Sequence, residues 1–144
     1  MTDTLTLALA QLDYTVGDIE GNMALIEAAR EEAAGLGADL AIFSELGVSG
    51  YPPEDLVLKP IFQDAVEAAV KSFAPSTKSG PAVLIGAPWR VEGALHNAAL
   101  LIDQGEVASV RLKVDLPNYG VFDEKRVFAP GPLPEPIEFR GAKL

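Results

Sequence analysis

The stretch AIFSELGVSGYPPEDL, from Ala41 to Leu56, decides how this chain is read. Asp39-Leu40-Ala41-Ile42-Phe43 is a short apolar run bounded by Gly37 on one side and a Ser44-Glu45 turn on the other, which fits a buried strand. Beyond it, Gly47, Gly50, Pro52 and Pro53 exclude a long regular element. Glu45 is thereby carried out of an apolar strand into a polar turn, at the C-terminal strand edge where α/β sheets commonly hold ligands. A carboxylate so placed is a candidate general base, although a glutamate after a strand is also commonly an ordinary solvated loop residue.

Working outward, Leu5 to Gln11 has strand composition and alternation, and Asp13 to Asp18 reads as a turn. Asp18 is a suitable N-cap for a helix whose apolar stripe is Ile19, Met23, Ile26, Ala29, Ala33 and Leu36, closed by Gly35 and Gly37. After the central stretch, Pro60 occupies the first turn of a second helix with Phe62, Ala65, Val66, Ala69, Val70 and Phe73 at helical spacing. Pro75 to Pro81 ends it. Three strands follow, at Ala82 to Ala87, Leu95 to Asp103 and Glu106 to Lys113, the last two joined by an Asp103-Gln104-Gly105 turn. From Pro117 onward, prolines and glycines leave only a long irregular loop, until another strand begins near Phe139. The order β-α-β-α-β-β-β describes an α/β domain with a locally antiparallel part.

The 144 residues fit a single domain, and a net charge of −10 argues against nucleic acid or an anionic membrane as partner. The longest apolar runs are of strand length, so no transmembrane segment is expected, and the start MTDTLTLALAQLDY lacks the features of a signal peptide. A cytoplasmic location is the resulting expectation. There is no cysteine and one histidine, which excludes disulfides, thiolate metal sites and multi-histidine ligation. His96 has no G-x-S-x-G elbow to serve and is read as structural. No phosphate-binding loop or dinucleotide fingerprint is present, so no cofactor is expected for this domain.

A second segment, KVDLPNYGVFDEKRVFAPG from Lys113 to Gly131, brings a lysine out of an apolar strand into a Pro/Gly loop. Lys113 suits oxyanion stabilisation, or else the edge-strand role in which lysine discourages aggregation. Asp123-Glu124-Lys125-Arg126 fits a solvated charge run, and Tyr119 and Phe122 fit packing aromatics.

Taken together, FSELGVSGYPPEDLVLKP and KVDLPNYGVFDEKRVFAPG resemble the first two active-site motifs of the nitrilase (carbon-nitrogen hydrolase) superfamily. The LALAQLDYTVGDIEGN segment, Leu7 to Asn22, extends the likeness over nearly the whole chain, and YPPEDL resembles the glutaminase domains of glutamine-dependent NAD synthetases. The resemblance implies the first half of a nitrilase-like α-β-β-α sandwich, with residues 1–144 a partial glutaminase domain. It also implies amide hydrolysis by a Glu-Lys-Cys triad, in which Glu45 is the base and Lys113 stabilises the tetrahedral intermediate. Tyr51, Tyr119, Phe122 and Glu124 match the positions that shape the pocket and orient substrate and lysine.

In such enzymes L-glutamine supplies ammonia to a separate domain that amidates deamido-NAD. ATP and Mg²⁺ are implied only for that domain, no metal is implied for the hydrolase site, and a homo-oligomer is implied for the full enzyme. Neither the cysteine motif nor the synthetase domain occurs in these 144 residues, so the chain is expected to be a truncated N-terminal part, inactive on its own. Two other readings remain at this point: part of a stand-alone amidase of the same superfamily, and a non-catalytic interaction module whose half sandwich exposes an apolar sheet face.

Overall fold

A computed structural model describes residues 4–144; the first three residues of the stretch read for a leader lie outside it. One five-stranded sheet organises the chain: β1 (Leu7–Ala10), β2 (Leu40–Phe43), β3 (Ala82–Val91), β4 (Ala94–Asp103) and β5 (Glu106–Leu112) lie side by side in chain order. β1, β2 and β3 are parallel, while β3, β4 and β5 are antiparallel. The parallel pairs need crossovers, which α1 (Ile19–Gly35) and α2 (Pro60–Phe73) supply, and the antiparallel pairs need only hairpins. Both hairpin turns put two successive residues at positive φ, Glu92-Gly93 and Gln104-Gly105, as tight turns between twisted strands require.

β3 runs through Pro88 to Val91, beyond the expected end at Ala87. Its pairing with β2 stops at Leu84, so at Pro88 the only neighbour is β4, and the missing N–H leaves no broken ladder on the other side. The expected α1 stripe packs against the core at Ile19, Met23, Ile26, Ala29 and Ala33 but not at Leu36. Asn22, Ile26, Arg30 and Ala33 form its buried line, whereas Leu36 is 74% exposed. The two polar members are there because loops need them: the Asn22 amide serves Thr15 and Val48, and Arg30 Nε donates to Pro81 O at 2.9 Å. Asp18 caps the helix as expected, accepting from Gly21 N at 2.9 Å.

Both helices cover one face of the sheet. Ile26, Val66 and Val70 meet Ala41, Val83, Ile85, Leu100 and Ile102 there, and all of these are essentially inaccessible to water. The opposite face carries Leu7, Leu9, Leu40, Ile42, Leu84 and Leu101. Its inner part is covered by Phe139, from a terminal hairpin of β6 (Glu138–Phe139) and β7 (Ala142–Lys143), while Leu9 remains 78% exposed. The stretch after Lys113, expected to stay irregular until a strand near Phe139, does reach that strand in β6 but also holds one unexpected helical turn, α3 (Glu124–Val127). Among the described residues, no helix is long and apolar enough to cross a membrane.

Candidate active site

Glu45 lies two residues beyond β2, in a loop that the fold holds closely. Leu46 and Val48 are fully buried on either side of Gly47, and Leu46 adopts φ 50° to make the bend. Two glycines make room for it. A β-carbon on Gly47 would lie 2.8 Å from the Tyr14 ring, and one on Gly86 would run into Leu46 N and lie 2.9 Å from the Glu45 carbonyl carbon. Val48 N donates to Gly86 O at 3.1 Å, and Asn22 Nδ2 donates to Val48 O at 3.2 Å, so β3 and α1 both hold the loop.

Lys113 follows β5 directly. Its backbone N donates to Asn97 O at 2.8 Å and its carbonyl accepts from Gly131 N at 2.8 Å, which fixes where the side chain begins. Nζ then lies 2.5 Å from Glu45 Oε1 and 3.1 Å from each carboxylate oxygen of Glu124. Glu124 opens α3 and is 5% exposed. Such a buried carboxylate demands partners. Lys113 provides one, Tyr51 Oη donates to Oε1 at 3.2 Å, and Asn97 Nδ2 stands 3.4 Å from Oε2. Asn97 Nδ2 also donates to Glu45 Oε1 at 2.6 Å.

Burial alone would lower the Lys113 pKa, but the hydrogen bonds and charges of Glu45 and Glu124 outweigh it, and the ammonium is held above its ordinary value. Tyr51 is pushed up by burial first and by the negative charge of Glu124 second, so its phenol stays protonated and remains a donor. The cluster therefore offers a permanent cation between two carboxylates. That set can accept a proton at Glu45 and stabilise a developing oxyanion at Lys113.

Two cavities flank the cluster. One, about 310 Å³, lies on the open sheet face against Glu45, Gly86, Asn97, Arg111 and Lys113. The other, about 280 Å³, is lined by Tyr51, Pro52, Pro53, Phe122, Glu124 and Phe128. Of the residues singled out from sequence, Glu45, Lys113, Glu124 and Tyr51 meet within bonding distance, and Phe122 lines the second cavity. Tyr119 does not join them: it is 71% exposed and packs edge-on against Phe122, with centroids 5.5 Å apart. His96 is 7% exposed with Nδ1 2.9 Å from Ala129 O, a contact that holds the loop after α3.

Sequence reasoning overlooked Asn97, whose only signal was an amide inside an otherwise apolar strand. It also treated Arg126 as part of a solvated run. Arg126 bonds Asp55, Glu54 (3.1 Å) and Asp123 (2.7 Å), tying the Tyr51–Leu56 segment to the α3 loop. Among the described residues, no group of three or more His, Asp or Glu side chains is placed to hold a metal ion.

Residues 6–144 match the family model of the carbon-nitrogen hydrolases. The glutamine-dependent NAD(+) synthetase of Thermotoga maritima is 44% identical over 128 residues, covering 88% of this chain and 22% of that protein. The glutamine-dependent NAD+ synthetase of Acinetobacter baumannii, solved with ADP, superposes with a TM-score of 0.85 at 35% identity, over 96% of this chain and 26% of that one. A glutamate-to-glutamine mutant of an amidase from Nesterenkonia sp. AN1, with acrylamide added at its active-site cysteine, gives a TM-score of 0.80 at 28% identity. That match covers 97% of this chain and 55% of the amidase. The chain spans about a quarter of the length of the curated relatives it matches.

Proposed function

The chain belongs to the carbon-nitrogen hydrolase family, and on that premise we propose that its Glu45–Lys113–Glu124 cluster is the proton-transfer and oxyanion part of a glutamine-hydrolysing site. The observation that carries this reading is the Lys113 ammonium, bonded to the exposed Glu45 carboxylate on one side and to buried Glu124 on the other. Glu124 fixes the cation, and Glu45 is left at the cavity to exchange protons.

The reaction needs a nucleophile that these 144 residues lack, since none is a cysteine. On this reading, a thiol from outside them gives its proton to Glu45 and attacks the carboxamide carbon. The carbonyl π electrons move to oxygen, beside Lys113. Collapse of that intermediate breaks the C–N bond, and the nitrogen leaves as ammonia with the proton Glu45 held. Water then adds to the thioester carbonyl as Glu45 takes its proton, the C–S bond breaks, and that proton passes from Glu45 to the departing sulfur, releasing glutamate and the thiol.

Glutamine as substrate is supported by the names of the relatives and by their identity to this chain. ATP and Mg²⁺ enter this proposal only for a separate synthetase domain, and no step in this pocket passes through them. A cytoplasmic, homo-oligomeric parent protein is part of the same proposal. The amidase likeness supports a second reading, hydrolysis of a simple aliphatic amide, but at lower identity.

Ammonia release by the polypeptide that its gene encodes, with L-glutamine compared against acetamide, tests the proposal. Preference for glutamine is expected, with none released by residues 1–144 alone. Turnover by this chain alone, or acetamide as the better substrate, would overturn it.

A further inference from the structure

We infer that Asn97 is a positioning residue for Glu45, selecting Oε2 as the oxygen that exchanges protons; the inference rests on the reading of the pocket as an amide-hydrolysing site. Three observations lead there. First, Asn97 is 3% exposed in the middle of β4, so its side chain has no freedom to choose partners in solvent. Second, both donors that reach Glu45 converge on one atom: Asn97 Nδ2 at 2.6 Å and Lys113 Nζ at 2.5 Å both sit on Oε1. Oε2 carries none of the side-chain hydrogen bonds found among the described residues, and Glu45 is the exposed member of the cluster, its side chain 46% accessible. With two donors on Oε1, the lone pairs open to an incoming acid are those of Oε2.

Third, Asn97 acts on both halves of the cluster through one residue. Its carbonyl takes the Lys113 backbone N–H at 2.8 Å while its amide faces Glu45 and, at 3.4 Å, Glu124 Oε2. Two carboxylates compete for one ammonium here, an excess of one negative charge. A neutral donor between them offsets their repulsion and keeps Glu45 from swinging away. An aspartate of the same shape would add a third carboxylate and remove the donor.

The test has two arms. In ¹⁵N-labelled residues 1–144, the Asn97 side-chain amide should show one proton shifted well downfield and protected from exchange. Glu45→Ala, which removes the acceptor, should abolish the shift, and Glu124→Gln should largely preserve it, since the bond to Glu124 is the longer. In the gene-encoded polypeptide, Asn97→Leu and Asn97→Asp should each lower kcat for glutamine by roughly 10²-fold, the scale of a mispositioned catalytic group, with KM within about twofold. Asn97→Asp should be the slower of the two. An unshifted amide overturns the inference, as does a raised KM at unchanged kcat. A shifted amide in a polypeptide that hydrolyses neither glutamine nor acetamide overturns the amide-hydrolysis reading instead, and with it the part given to Oε2.

Discussion

Glu124 holds the Lys113 ammonium on both of its carboxylate oxygens, each at 3.1 Å, from a position only 5% exposed to solvent. The two residues sit on either side of a loop, Val114 to Asp123, that contributes no other side chain to the cluster. This buried pairing, together with the bond from Glu45, holds the ammonium above its ordinary value against the opposing effect of burial. Glu124→Gln should therefore bring the Lys113 titration to lower pH, read from the ¹³Cε shift of the lysine. Because the folded-state pKa is raised, the pairing stabilises the fold fully below the unfolded value of 10.5 and fades as pH rises through the folded value. In the variant, less of this stability is available to lose in alkali. An unchanged Lys113 titration would show that Glu124 does not set the charge.

Glu45→Gln should remove glutamine hydrolysis by the gene-encoded polypeptide, lowering kcat by roughly 10²–10⁴-fold, as loss of a general base does. Lys113→Ala should do the same through loss of the oxyanion partner. On the proposed reading as part of a glutamine-dependent NAD synthetase, both should leave NAD formation from added ammonia intact, measured by coupled absorbance. Loss of both activities would point to collapse of the fold, and loss of neither would remove these residues from the mechanism.

Gly86→Ala puts a methyl group against the Leu46 nitrogen and the Glu45 carbonyl carbon, both backbone atoms that cannot rotate away. Overpacking of that kind costs about 1–3 kcal/mol, expected here as a lower urea midpoint at unchanged m-value. The accompanying shift of the Glu45 loop should also weaken the Asn97 amide signature. A fully stable variant would mean that the loop yields more easily than its contacts imply.

Asn22→Ala should destabilise the chain by about 1–3 kcal/mol, since the backbone N–H and C=O of Thr15 and the carbonyl of Val48 lose a partner inside the protein. The effect should appear in hydrogen exchange as faster opening of the loop around Val48. Uniform exchange changes across the sheet would argue against this local role.

Tyr14 gives a spectroscopic handle on the same loop. Its hydroxyl is buried with no hydrogen-bond partner among the described residues, and burial pushes the phenol up to about 12. The neutral phenol therefore favours the fold below pH 10, an advantage lost between pH 10 and about 12. A spectrophotometric titration should show one phenol ionising near 12, absent in Tyr14→Phe. Ionisation of Tyr14 at its ordinary value would mean that the Gly47 contact is loose.

Much of the fold was legible because periodicity and punctuation agreed: Asp18 and Pro60 start their helices, and Gln104-Gly105 turns its hairpin, as their chemistry requires. The rest depended on neighbours that periodicity does not reveal. Pro88 sits inside a strand because β2 has already ended beside it. Asn22 and Arg30 sit on a buried helix stripe because loops distant in sequence offer them carbonyls. The site was legible at its two ends, where Glu45 and Lys113 leave apolar strands for turns. Asn97 was hidden because nothing local distinguishes an amide that serves two carboxylates from one placed in a strand by chance.

The sheet is laid down in the order in which its strands occur in the chain, β1 through β5. Each strand can dock on its predecessor as synthesis delivers it, without waiting for a distant partner, a route that limits long-range loop closure. The loop bearing Glu45 is made first, Asn97 reaches it with β4, and Lys113 and Glu124 follow. Until the last two arrive, the nascent chain presents a carboxylate held by an amide with no cation beside it. Within these 144 residues, the cation of the pocket thus follows both its general-base carboxylate and the amide that holds it.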